Sequence, residues 1–162
     1  MHLFFPTPVW ISEIENFDII NQSLIKFIYE EKNNDPSGIR RSNIKGWHSK
    51  QFDLNHSSLQ IFLKTLKPKI EEAILDMGWD TINQIVKITS MWSVVNNQNS
   101  FNERHHHGNS ALSAAYYVNA DENSGDIVFY DPRHAFTFSH PDNSKINDLN
   151  GQIKSIKPKS GM

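Results

Sequence analysis

The spacing of apolar residues divides the chain into a helical half followed by a half that is rich in short strands. In the segment FDIINQSLIKFIYEEKNN (17–34), apolar residues recur every three or four positions, and Asp18 is a candidate cap near its start. The segment SSLQIFLKTLKPKIEEAILDMG (57–78) has the same spacing, which predicts a second helix that Pro68 kinks or splits and Gly78 ends. Two helices are therefore expected in the first half of the chain.

From residue 85 onward the pattern changes to short apolar runs separated by turn-forming residues. The predicted strands are 85–95, 111–118, 126–130, 135–138 and 152–158, and residues 96–100 are predicted to form a turn or loop. Helices followed by strands are typical of an α+β fold, in which helices pack on an antiparallel sheet or barrel. We therefore expect a single domain, residues 1–162, with a helical support over 1–84 and a β-barrel part over 85–162. The mouth of such a barrel is the expected place for a ligand.

Length and composition narrow the classes of function. With 162 residues and a net charge of −2, the chain suits one domain and lacks the basic surface that nucleic-acid binding needs. No apolar run is long enough to span a membrane, and the amino terminus lacks the basic region of a signal peptide, so a cytoplasmic location is expected. The chain contains no cysteine, so any metal must be bound by nitrogen and oxygen atoms.

Three consecutive histidines, His105, His106 and His107, are the first candidates for chemistry. Alternate side chains of a strand share a face, so His105 and His107 can point to one side while His106 points to the other. Such a pair of imidazoles suits Fe(II), Zn(II), Cu(II) or Mn(II). The alternative is a solvated loop whose histidines bind metal only adventitiously, and the three residues alone do not decide between the two.

A longer block around the histidines resembles a known family. HHHGNSALSAAYYVNADENSGDIVFYDPR (105–133) is similar to 2-oxoglutarate- and Fe(II)-dependent oxygenases common in bacteriophages and marine bacteria. The positions that match the family pattern are His105, His107, Ser110, Ser113, Tyr116, Tyr117, Ser124, Gly125, Asp126, Asp131, Pro132 and Arg133. The segments LFFPTPVW (3–10) and GWHS (46–49) resemble the same family, so the likeness extends over nearly the whole chain.

The resemblance implies a double-stranded β-helix, which is a jelly-roll or cupin-like barrel, with the two helices packed against it. It also implies that His105 and His107 bind Fe(II) and that Ser113 contacts 2-oxoglutarate. More distantly, YYVN (116–119) followed by SGDIVF (124–129) is similar to prolyl hydroxylases, which implies that Tyr117 helps to bind the 2-oxoglutarate carboxylate. A tyrosine hydroxyl can donate a hydrogen bond to a buried carboxylate, and the alternative for Tyr117 is an ordinary core aromatic. No catalytic acid, base or nucleophile is expected, because the metal and the cosubstrate carry the chemistry.

The sequence departs from the family pattern in two ways that matter. His107 stands where the facial triad of non-haem iron enzymes usually has Asp or Glu, so either His107 binds the iron or the protein uses His105 with a solvent-filled site. The chain also ends at IKPKSGM (156–162), before the point where the family has its last strands, a distal metal-binding histidine and a basic residue for 2-oxoglutarate. We therefore expect a barrel without its carboxyl-terminal strands and a third ligand from outside this sequence. The family gives His134 and His140 no ligand role.

These observations favour an oxygenase that couples the decarboxylation of 2-oxoglutarate to the hydroxylation of a substrate C–H bond. One alternative is a non-catalytic barrel, for example an accessory phage protein with a degraded metal site. A second alternative is a cupin-like metal enzyme that does not use 2-oxoglutarate. The substrate is a protein side chain, a nucleobase or a small metabolite, a homodimer is compatible with the sequence, and a phage-encoded protein would act in the host cytoplasm. Trp47 and Trp92 are expected to be core residues.

Overall fold

The computed structural model describes residues 2–133 and 141–162. Within these ranges, two helices and six short strands follow in the order α1 (Phe17–Asn34), β1 (Asn43–Ile44), β2 (Trp47–His48), α2 (Ser57–Asp76), β3 (Val94–Val95), β4 (Phe101–Asn102), β5 (Ile127–Tyr130) and β6 (Ile153–Ile156). The predicted strand 135–138 lies outside the described residues, as do His134 and His140.

Helix α1 forms where the spacing of apolar residues predicts it, but its start differs from the prediction. The residue before the helix is Asn16, which has a left-handed backbone conformation (φ 53°) and makes no capping hydrogen bond with its side chain. Asp18 lies within the first turn instead of capping it. A carboxylate there still interacts favourably with the positive end of the helix dipole, which explains why an acidic residue suits this position.

Helix α2 also forms where it is predicted, and it runs through Pro68 without interruption. The predicted split is therefore wrong. Buried side chains lie on both sides of Pro68, namely Leu59 and Phe62 before it and Ala73 and Ile74 after it, so packing outweighs the backbone hydrogen bond that proline cannot donate.

The end of α2 confirms the predicted stop. Gly78 has a left-handed backbone (φ 64°), and its amide donates to the carbonyl of Leu75 at 3.0 Å. Neither helix in the part of the chain that the structure describes combines the length and the apolar content that a bilayer crossing requires.

The hydrophobic core lies mainly between the two helices. Its buried members are Ile14, Ile20, Leu24, Phe27, Leu59 and Phe62. The segment 116–118 packs against this cluster, with the rings of Phe62 and Tyr116 4.6 Å apart between centroids. The Tyr116 hydroxyl donates to the side-chain oxygen of Asn21 at 2.7 Å, and the Asn21 amide donates to the carbonyl of Val118 at 2.7 Å. The buried Asn21 therefore attaches the second half of the chain to α1.

The strands form three separate antiparallel pairs: β1 with β4, β2 with β3, and β5 with β6. Strands β5 and β6 confirm the predictions for 126–130 and 152–158. In the predicted strand 85–95, only Val94 and Val95 belong to a regular strand. Across residues 2–133 and 141–162 these pairs do not join into a closed barrel, so the double-stranded β-helix stays a prediction.

The predicted strand 111–118 is not a regular strand, but its end is paired through the backbone. The Tyr117 amide donates to the carbonyl of Met162 at 2.9 Å, and the Gly161 amide donates to the carbonyl of Tyr117 at 2.8 Å. On its other side, Gly161 accepts a hydrogen bond from the amide of Ile14 at 2.8 Å. Residues 161–162 therefore lie between the segment before α1 and the segment at Tyr117.

Candidate functional site

The three histidines lie on the loop that follows β4, not on a strand as their alternation supposed. The start of the loop is fixed by the Glu103 amide, which donates to the carbonyl of Ser42 at 2.8 Å. Further along, the Ser110 amide donates to the carbonyl of His107 at 3.2 Å. The orientation of the imidazoles is therefore set by loop geometry and side-chain contacts, because no strand ladder constrains them.

His105 and His107 are brought together by this loop. Their rings lie edge to face, with 5.0 Å between centroids and an angle of 75° between planes. His106 makes no ring contact with either neighbour among the described residues. The pairing of the first and third histidines thus agrees with the alternation expected from the sequence, although a loop produces it.

The backbone selects the tautomer of the His105 ring. Its Nδ1 lies 2.7 Å from the carbonyl oxygen of Glu103. Because a carbonyl oxygen only accepts hydrogen bonds, Nδ1 must carry the proton, and the neutral ring leaves Nε2 as an unprotonated nitrogen. Metal-binding histidines commonly have this arrangement, in which a carbonyl oxygen orients the ring through the nitrogen that does not bind the metal.

A row of aromatic rings connects this histidine pair to the strand β2. The Trp92 indole lies 5.7 Å from the His107 ring at 33°, and 5.7 Å from the His48 ring at 12°. His48 is buried and Trp92 is 36% exposed. The expectation that Trp92 is a core residue is therefore wrong, because its ring lies at the surface between two imidazoles. Trp47 is buried as expected, and its indole N–H donates to the carbonyl of Asp35 at 2.9 Å.

The loop is also anchored on β5. Arg104 directly precedes His105 in the chain, and its guanidinium lies over the ring of Tyr130, 4.4 Å from the centroid. After Tyr130, Arg133 makes a two-pronged ion pair with Asp131 at 2.7 and 3.0 Å. This ion pair holds the pKa of the Asp131 carboxyl below its usual value. The Asp-Pro-Arg motif therefore has a structural role here.

The two residues expected to contact 2-oxoglutarate lie in different environments. Tyr117 is half-buried, and burial raises the pKa of its hydroxyl. That hydroxyl makes no hydrogen bond within the described residues, in contrast to the neighbouring Tyr116, which is bonded to Asn21. Ser113 is exposed. No ring contact within the described residues joins Tyr117 to His105 or His107, so their convergence on one ligand stays a prediction.

The donor set fits two positions of a metal site. Imidazole nitrogens are suitable ligands for Fe(II) and Zn(II), and the close pair His105 and His107 supplies two of them. Within residues 2–133 and 141–162, no group of three His, Asp or Glu side chains is arranged to hold a metal ion. Glu103, the nearest carboxylate in the sequence, contributes its backbone carbonyl to His105. The described residues therefore supply two of the ligands that a metal site would need.

Two clefts open on the described surface away from the histidines. One of about 520 Å³ lies between the amino-terminal segment and the end of α2, where Pro8, Trp10 and Met77 line it. Another of about 190 Å³ lies beside α1 and is lined by residues that include Asn21 and Ser160. None of the four predicted site residues lines either cleft.

The comparison with protein families bears on this half of the chain. Residues 90–162 match a family described as "Putative 2OG-Fe(II) oxygenase". The matched range includes His105, His107, Ser113 and Tyr117, and it leaves out both helices. It supports, at the level of the family, an oxidoreductase chemistry that depends on 2-oxoglutarate and Fe(II). No curated protein and no solved structure matches the chain.

Sequence reasoning missed two parts of the site. In the sequence, the GWHS segment (46–49) stands out only by its resemblance to the oxygenase family. Nothing in it indicates that His48 lies behind Trp92. The contact depends on the pairing of β2 with β3, whose residues are more than forty positions apart in the chain. The role of the Glu103 carbonyl was also missed, because a backbone oxygen leaves no signal in the sequence.

Proposed function

We propose that this protein is an Fe(II)- and 2-oxoglutarate-dependent oxygenase that hydroxylates a C–H bond of its substrate. The observation that carries the proposal is the pair His105 and His107, whose rings lie 5.0 Å apart inside the range that matches the oxygenase family. The carbonyl of Glu103 adds support, because in the neutral tautomer that it selects, Nε2 of His105 is the nitrogen free to bind a metal.

Each of the proposed site residues has a defined task. His105 and His107 hold Fe(II), and a third ligand comes from outside the described residues. When bound, the metal and 2-oxoglutarate supply the oxidising chemistry with O2 and release succinate and CO2. Tyr117 is proposed to donate its hydroxyl hydrogen to a carboxylate of 2-oxoglutarate, with Ser113 as a second donor. The half-buried Tyr117 hydroxyl supports this task, because it makes no hydrogen bond within the described residues and is available to donate.

The test measures succinate. The protein at its full natural length is incubated with Fe(II), ascorbate and 2-oxoglutarate in air, and succinate is followed by NMR. The wild-type protein should form succinate, and the double variant His105→Ala/His107→Ala should not. His106→Ala is the matched control, because it removes an imidazole from the same loop and should retain turnover. Equal succinate formation by the double variant would contradict the proposal.

A non-catalytic binding protein with a degraded metal site is the second candidate. The observation that favours it is the lack of a three-ligand cluster within residues 2–133 and 141–162. The two candidates differ in one outcome of the same experiment. Fe(II) bound by the wild-type chain, with no succinate formed, would favour the binding protein over the oxygenase.

A further inference from the structure

We propose that Trp92 is a positioning residue that holds the imidazole of His107 in the orientation needed to bind a metal, and that the buried His48 ring supports Trp92 from behind. This inference rests on the proposed function of the histidine pair. Trp92 contacts a candidate ligand and not the reacting atoms, so its expected effect is on metal affinity.

The first step is the contact between Trp92 and His48. Strands β2 and β3 pair His48 directly with Val94. Trp92 lies two residues before Val94, so it is on the same face and is a diagonal neighbour of His48, within reach of a large aromatic ring. The observed geometry agrees, since the two rings are nearly parallel, with 12° between planes and 5.7 Å between centroids.

The second step is the rigidity of His48. Its ring is 6% exposed, and its Nδ1 lies 2.6 Å from the carbonyl oxygen of Ser49, which fixes the ring. The Ser49 hydroxyl oxygen in turn accepts a hydrogen bond from the Ser93 amide at 3.0 Å. This bond links Ser93, which follows Trp92, to Ser49, which follows His48. The inner face of the indole therefore rests on an ordered part of the structure.

The third step is the effect on His107, which is exposed on a loop without regular structure. Such a side chain loses rotamer freedom when it binds a metal, and that loss weakens the affinity. The His107 ring is already confined between the indole of Trp92, 5.7 Å away, and the ring of His105, 5.0 Å away. Part of the ordering is thus present before the metal binds, which is the usual effect of residues that surround metal ligands.

The experiment compares an aromatic with an aliphatic replacement of Trp92. Co(II), an oxidation-resistant substitute for Fe(II), is titrated calorimetrically into the wild-type protein, Trp92→Phe and Trp92→Leu. Trp92→Leu removes the flat face and should weaken Co(II) binding by about tenfold, the lower end of the effect of residues that surround metal ligands. Trp92→Phe keeps an aromatic face and should retain most of the affinity.

Trp79→Leu is the matched control. Trp79 is another partly exposed tryptophan, and it makes no ring contact with a histidine within the described residues, so its loss should leave Co(II) affinity unchanged. Thermal unfolding of all variants detects general damage to the fold. In addition, the proton NMR signals of the His107 ring in the metal-free protein should move in Trp92→Leu, because the ring current of the indole is lost.

The possible results separate this inference from the proposed function. Co(II) binding by Trp92→Leu that equals wild-type binding would overturn the positioning role and leave the proposed function standing. An equal loss in Trp92→Phe and Trp92→Leu would also overturn it, because the aromatic face would then not be what matters. If the wild-type protein fails to bind Co(II), the proposed function falls and this role falls with it.

Discussion

The helical half and the strand half of the molecule differ sharply in how much they bury. Apart from Pro158, the buried aliphatic and aromatic side chains of the described residues lie between Ile14 and Ile74. In the described part of 90–162, only Pro158 and Gly161 are buried, and even the strand residues Phe101 and Ile153 are more than half exposed. The half that matches the oxygenase family is therefore not the half that contains the hydrophobic core.

This difference separates stability from the candidate chemistry. Burial of apolar surface is the dominant stabilising contribution in folding. Because the buried apolar side chains lie mainly in the helical half, that half supplies most of the stability. The histidine loop depends instead on a few directional contacts, such as those of His105 with the Glu103 carbonyl and of Arg104 with the Tyr130 ring. We expect substitutions in the helical half to change the free energy of unfolding and substitutions in the histidine loop to change metal affinity.

The largest expected effect on stability is at Leu59, which is 1% exposed in the core. Leu59→Ala leaves a cavity and should lower the free energy of unfolding by about 2–5 kcal/mol. Val128→Ala removes apolar atoms from a partly exposed position in β5 and should change it by only about 0.5 kcal/mol. Urea denaturation followed by circular dichroism measures both. Similar losses in the two variants would contradict the contrast between the halves.

The next effect tests the junction between the halves. Gly161 has φ 86°, and a Cβ atom there would lie 2.5 Å from the ring of Phe17. Gly161→Ala should therefore lower the free energy of unfolding by about 1–3 kcal/mol through backbone strain alone, with the steric contact adding to it. Gly125→Ala is the control, because no atom lies within 4 Å of the added Cβ. A Gly161→Ala protein as stable as Gly125→Ala would show that residues 161–162 do not dock as described.

The smallest effect is a pH dependence at Tyr117. Burial raises the pKa of Tyr117 above its ordinary value of 10.0, so the folded state retains the phenolic proton more strongly than the unfolded state does. This contribution to stability is complete below pH 10.0 and is lost as the pH rises through the folded pKa. Tyr117→Phe should therefore reduce the loss of stability at alkaline pH, as measured by urea denaturation across that range. The exposed Tyr29→Phe is the control, and an equal reduction there would contradict the prediction.

The sequence indicates the helices well because their signal is local. Apolar residues spaced three or four apart define α1 and α2, and Gly78 defines an end, without reference to the rest of the chain. The sequence does not show that α2 continues through Pro68. The backbone hydrogen bond lost at this proline is offset by the burial of side chains before and after it, and only the packed structure shows that burial. The two-residue strand β2 was missed because its partner β3 is distant in the chain and the strand is too short for a pattern.

Some features of the candidate site can also be predicted from the sequence, and others cannot. Residue type and spacing make His105 and His107 candidate metal ligands, and the family resemblance of residues 105–133 favours that interpretation. The sequence does not reveal that the two histidines lie on a loop or that the Glu103 carbonyl selects the tautomer of His105. It also does not reveal that Trp92 lies at the surface between two imidazoles. Each of these features depends on backbone atoms or on contacts between distant segments, and the pattern of residue types along the chain carries no information about either.

The most direct test of the account is an anaerobic calorimetric titration of Fe(II) in the presence of 2-oxoglutarate. The account predicts one Fe(II) bound per wild-type chain, no binding by His105→Ala/His107→Ala, and binding by His106→Ala close to that of the wild type. Binding of Fe(II) by the double variant with wild-type affinity, or its loss in His106→Ala alone, would contradict the assignment of His105 and His107 as the metal ligands.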